Sequence, residues 1–214
     1  MVKGLIDCGY FVLYNCLLKE VEYMSYETDV TLVKVEEYLK EIMNLLNLPV
    51  TESTEDTPKR IARMWSNELF KNRNSRNWME LKNSMSVFPN EYGNDVISVR
   101  EIEFHSVCEH HWLPFSGRMV VSYVPDEYVI GLSKIPRVVK YFSQQPQLQE
   151  KLCKCVGDYL FEVIKPKSIE VSAVATHQCV ACRGAENDCK TVTVYRRKRE
   201  DEIKGKEKAE SDTN

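Results

Sequence analysis

The 214-residue chain has no glycine-rich phosphate loop and no internal repeat, which excludes a P-loop nucleotide site and a solenoid. It also lacks a strong charge of either sign. A formal charge of -3 and a pI near 5.9 leave no electrostatic footprint for nucleic acid, so any basic site is local and built for a small anion. No apolar run is long enough to cross a membrane. The fairly apolar stretch 1–18 is interrupted by Lys3 and Asp7, and it has no small-residue cleavage site. Histidine is scarce, with four in the whole chain.

Three of those four histidines fall in two short segments rich in metal-ligand types, Cys108-Glu109-His110-His111 and His177-Gln178-Cys179. A thiolate three positions before an imidazole lets one turn offer two ligands to zinc, and a third ligand from a distant segment would fix the ion. Three protein ligands leave room for a water, whose pKa zinc lowers to roughly 7, so hydrolysis is the chemistry such a site favours. Histidines beside the ligands, such as His110 and His177, could carry protons. If a strand runs over 168–179, His177 and Cys179 share one face. The spacing allows a second arrangement. Cys182 follows Cys179 at Cys-x-x-Cys spacing, and Cys108, His111, Cys179 and Cys182 would make a closed structural site without catalysis. Eight cysteines, unevenly spaced and mixed with histidine, suit a reducing compartment with metal ligation better than a disulfide framework, and point to a cytoplasmic protein.

Apolar residues at helical spacing from Leu32 to Leu46 predict an amphipathic helix that stops at Leu48-Pro49. Thr57-Pro58 reads as an N-cap and first helical position, opening a second helix to about Phe70. Residues 71–94 look irregular, anchored by Trp78 and Phe88. Strands are predicted over 96–107 and 117–124, then a helix burying Ile135, Val138, Val139, Tyr141 and Phe142. A further helix over 146–164 and strands over 169–175 and 191–195 complete the order. Helices segregated from strands predict an α+β domain with an antiparallel sheet. The organisation read from this is an N-terminal extension (1–28), with Met24 as a candidate native start, a helical region (29–94), a catalytic domain (95–195) and a charged, solvated tail (196–214).

Five segments in order resemble the GTP cyclohydrolase I family: Thr57-Pro58-x-Arg60, Cys108-Glu109-His110-His111, Val129 to Ile135 with Arg137, Pro146-Gln147-x-Gln149-Glu150, and His177-x-Cys179 with Arg183-Gly184. The resemblance covers roughly residues 30 to 195. It implies a tunnelling fold with helices on one face of the sheet, and Zn2+ held by Cys108, His111 and Cys179 without Cys182. It implies His110 and His177 as the acid-base pair, with Ser133 assisting the sugar steps. Gln149 and Glu150 would read the guanine edge of GTP, and Arg60, Ser133, Lys134, Arg137 and Arg183 would bind its triphosphate, as arginine forks match phosphate oxygens well. Relatives build each active site between subunits of pentameric rings stacked as a decamer, so a ring homo-oligomer is implied.

The activity implied is conversion of GTP to 7,8-dihydroneopterin triphosphate and formate. Two rivals compete with it: a zinc-stabilised binding or regulatory subunit without turnover, and a related nitrile reductase, which needs a nucleophilic cysteine for which Cys153, Cys155 and Cys189 are spare. The chain departs from the family's pattern at Gln145, where many relatives have arginine, and after Tyr195, where a charged tail replaces a glycine, aromatic residues and a final helix.

Overall fold

The structure, a computed structural model, describes residues 24–73 and 77–199 and separates into two compact units at Lys71/Asn72. The candidate start segment before Met24 and the tail beyond Arg199 lie outside the described residues. In the N-terminal unit, α1 spans Met24–Leu45 and begins earlier than its apolar spacing predicts. Helix α2 spans Thr57–Met64 and continues as a π-helical segment, Trp65–Leu69, so the helical path ends close to the expected Phe70. Thr57 is not the cap: it is the first helical residue, Asp56 precedes it, and no side chain caps the end.

The second unit holds a five-stranded sheet in the order β5-β2-β3-β6-β7 and a two-stranded ribbon. Its elements in chain order are α3 (Trp78–Asn83), β1 (Val87–Pro89), β2 (Ile97–Cys108), β3 (Pro114–Val124), β4 (Tyr128–Ile130), α4 (Lys134–Ser143), β5 (Pro146–Gln147), α5 (Gln149–Ile164), β6 (Ser168–His177), α6 (Gln178–Ala181) and β7 (Lys190–Lys198). This is the expected α+β arrangement. The long strands pair antiparallel, and the only parallel pairing in the sheet sets β5 against the end of β2. That pairing holds Pro146 and Gln147 extended and delays α5 to Gln149, three residues later than its apolar pattern predicts.

Alternation decides which face of the sheet is covered. In β6, Ile169, Val171, Ala173 and Ala175 are buried while the residues between them are not, and α4 and α5 pack on that apolar side. The predicted α4 set, Ile135, Val138, Val139, Tyr141 and Phe142, is buried in full, as are Leu152, Val156, Leu160 and Phe161 of α5. Residues 78–83, read as irregular, form α3 because Trp78 inserts among Tyr141, Phe142 and Tyr159, with ring centroids 5.2–6.5 Å apart. Phe88 does not anchor the core: it lies in the β1–β4 ribbon, about half exposed.

Strand β7 continues past Tyr195 to Lys198 because the helix beneath it holds it down. The Tyr195 hydroxyl donates to Asp158 at 2.5 Å, Arg197 reaches Asp158 at 3.1 Å and Glu162 at 2.9 Å, and its guanidinium lies 4.3 Å from the Phe161 ring centroid. Gly157 lacks a side chain where the Tyr195 ring sits. No helix among the described residues is long and apolar enough to cross a membrane.

Candidate functional site

Cys108 ends β2, and the turn that follows is tied by backbone bonds from Trp112 N to Cys108 O and from Cys108 N to Leu113 O, both 2.9 Å. Trp112 takes a left-handed conformation, φ 54°, to close that turn. Cys179 sits on α6, a single helical turn entered directly from β6. It is therefore not on a strand, and the alternation expected to place it beside His177 does not operate. The sheet order does the work instead, because β2 and β6 flank β3 and their ends lie at the same edge.

One ligand atom each from Cys108, His111 and Cys179 lie within 4.8 Å of one another, the only such group of three among the described residues. A tetrahedral zinc with arms of about 2.3 Å to sulfur and 2.0 Å to nitrogen needs donors about 3.5–3.8 Å apart, so this set fits with small adjustments. The electrostatics point the same way. Burial pushes the Cys179 thiol pKa up, and the adjacent Cys108 raises it further. A thiol held beside another sulfur in this way resists becoming a thiolate unless a cation sits next to it. Cys182 takes no part: it is exposed, and its thiol donates to Gln178 O at 2.8 Å.

The other two histidines of these segments flank this group differently. His110 Nδ1 lies 3.9 Å from Cys108 Sγ on the exposed turn. His177, the last residue of β6, is half-buried and pairs directly across the ladder with Phe115, whose ring stacks on it at 4.6 Å and 2°. Burial lowers the His177 pKa, and the negative charge of nearby Glu150 works against that shift. Phe115 was missed in the sequence because β3 was expected to begin at Gly117; it begins at Pro114.

Gln149 and Glu150 open α5 with opposite fates. Glu150 is exposed, whereas Gln149 is 1% exposed. The Gln149 amide donates to Ala173 O at 3.0 Å and Thr191 O at 3.1 Å, and its Oε1 lies 2.8 Å from His177 Nε2. Among the cations expected to meet a triphosphate, Arg183 donates to His111 Nε2 at 2.9 Å and so sits at the metal-ligand group. Ser133 precedes α4, and Lys134 and Arg137 stand one turn apart on it. Among the described residues, no hydrogen bond or ion pair ties these three to the cluster. Arg60 belongs to the N-terminal unit, on α2, 3.9 Å from Asp56.

Residues 35–212 match the family described as GTP cyclohydrolase I. Among similar proteins, a GTP cyclohydrolase 1 of Wigglesworthia glossinidia brevipalpis is 40% identical over 166 residues, 75% of this chain and 74% of the relative. One from Sulfurihydrogenibium sp. (strain YO3AOP1) is 44% identical over 141 residues, 65% of this chain and 70% of that protein. A solved structure, the archaeosine synthase QueF-Like in the apo form, aligns with 15% identity and a TM-score of 0.41 over 47% of this chain and 91% of that one.

Proposed function

This chain belongs to the GTP cyclohydrolase I family, and from that premise we propose that it converts GTP to 7,8-dihydroneopterin triphosphate and formate in the cytoplasm, with Zn2+ at Cys108, His111 and Cys179. The observation that carries the proposal is the meeting of those three ligand types within 4.8 Å, with a histidine close by on either side in sequence. A zinc ion held there supplies a Lewis acid that makes water a nucleophile near neutral pH. The protein's own groups account for the rest. Opening the five-membered ring of guanine requires a proton at the ring nitrogen that leaves carbon eight, and His110 and His177, the histidines beside the metal-ligand group, are the acid-base groups assigned to deliver and recover it. Exposed Glu150, close enough to His177 to act on its charge, offers a carboxylate to the N–H donors of the guanine edge. Arg183 brings fixed positive charge to the metal-ligand group. Ser133, Lys134 and Arg137 supply a hydroxyl and two cations at the start of α4, and Arg60 a further cation for the triphosphate.

We extend the proposal to assembly. Strand β7 is nine residues long and, among the described residues, has β6 as its one partner strand, at the end of the sheet order. Pairing the edge of β7 with a different edge of the next copy, head to tail, closes a ring, which suits pentameric rings stacked in pairs.

Two rivals remain distinct in outcome. The nitrile-reductase reading needs a reactive thiol, and of its three spare cysteines burial pushes the Cys153 thiol up to about 12, which argues against that one. The binding-subunit reading is tested by incubating zinc-loaded protein with GTP and measuring formate and, after oxidation, a fluorescent pterin. Both products appear if the proposal holds; stoichiometric zinc with neither product overturns it in favour of a subunit without turnover.

A further inference from the structure

We propose that Gln149 is a positioning residue that fixes the proton of His177 on Nε2 and leaves Nδ1 as the basic nitrogen of the ring, rather than a residue that reads guanine. The inference deepens the cyclohydrolase reading of this site and rests on it.

A primary amide has two N–H donors and one carbonyl acceptor, and its two ends are told apart by what surrounds them. The nitrogen of Gln149 faces two backbone carbonyls, Ala173 O at 3.0 Å on β6 and Thr191 O at 3.1 Å on β7. Carbonyls only accept. Reversing the amide would set its oxygen against both, so both N–H groups are spent on the sheet and the orientation is determined. Oε1 is then left facing His177 Nε2 at 2.8 Å, and an amide oxygen can only accept. The imidazole nitrogen must therefore be the donor. In a neutral ring that assigns the proton to Nε2 and leaves the lone pair on Nδ1.

The ring plane is fixed as well. Phe115, paired directly opposite His177 in the ladder, lies parallel to it with centroids 4.6 Å apart, so the imidazole cannot swing while the Nε2 bond holds. Two constraints, one in the ring plane and one on its face, define a single orientation. Direct contact with guanine is left to Glu150, the exposed neighbour, because Gln149 is 1% exposed and both ends of its amide are already engaged.

The test uses the full zinc-loaded chain in two measurements. First, nitrogen-15 NMR of histidine-labelled protein, with His177 assigned by its loss in His177→Asn, reads which ring nitrogen carries hydrogen without any need for turnover. A protonated Nε2 and a bare Nδ1 support the proposal; the reverse overturns it. Second, Gln149→Met keeps the length and removes the amide. The expected result is kcat lower by at least about tenfold and by no more than the roughly 10²–10⁴-fold that a positioned acid or base contributes, with KM for GTP changed less than about threefold. A raised KM at unchanged kcat overturns the proposal and returns Gln149 to guanine recognition. If Gln149→Met does not fold, the NMR result on the unmutated protein decides. If the unmutated protein forms no pterin, the cyclohydrolase reading fails while the proton's place on His177 is still read.

Discussion

Cys179 and Cys182 are three residues apart at either end of one helical turn, yet their sulfurs have different neighbours. Cys179 meets Cys108 and His111, while Cys182 turns back to the carbonyl of Gln178 at 2.8 Å. Removing the second should therefore cost the metal little. Cys182→Ser is expected to retain one zinc per chain by elemental analysis, and Cys179→Ser to lose affinity by more than the roughly 10–100-fold typical of a group that only supports a ligand. Zinc loss in Cys182→Ser would reinstate the closed four-ligand centre. The three residues that meet were only partly legible in the sequence, because soft donors at three-residue spacing offered Cys182 as well as Cys179, and the family resemblance rather than the spacing set Cys182 aside. Gln149 was not legible as a buried residue. Its place depends on α5 starting at Gln149 rather than Pro146, and that start depends on a parallel pairing with Val107 and Cys108 from far earlier in the chain.

Elements followed the same logic. The buried sides of α4 and α5 could be read from periodicity, since each helix lays one continuous stripe on the sheet. Helix α3 and the two-residue β5 could not, because neither carries a period and both exist through contacts with distant segments, the Trp78 ring cluster and the end of β2. Strand β3 was foreseen but begins three residues before Gly117, and Gly117 itself marks its tightest approach. A Cβ there would overlap the Val174 carbonyl oxygen and stand 2.7 Å from the Ala175 Cα, both backbone atoms that cannot rotate away. Gly117→Ala should therefore destabilise the protein by at least the roughly 1–3 kcal/mol usual for overpacking, seen as a lower thermal midpoint. Gly131→Ala is the comparison: its Cβ would meet the Lys134 side chain at 3.5 Å, an ordinary contact, and the midpoint should move little. Equal losses in both variants would show that the β3–β6 approach is not the constraint.

At the scale of the whole molecule, the question is whether one chain contains a complete site. The metal-ligand group, His177, Glu150 and Arg183 gather at one edge of the sheet, while Ser133, Lys134 and Arg137 stand at the start of α4 without a bond to that group. If β7, whose one partner strand among the described residues is β6, pairs with a second copy that brings its α4 to the first copy's metal-ligand group, each site draws on two chains. Subunit mixing tests this directly. His177→Ala and Arg137→Ala are each expected to lose most activity alone. If the two residues serve one site from different chains, random co-assembly of equal amounts leaves both halves intact at about a quarter of the sites, and activity recovers to that fraction of the unmutated protein. If both residues act within the same chain, every site carries one defect and mixing restores nothing. Native mass spectrometry of the same mixtures, showing assembled rings with both variants present, separates failure to co-assemble from failure to complement. Assembled but inactive hybrids would assign the whole site to a single chain.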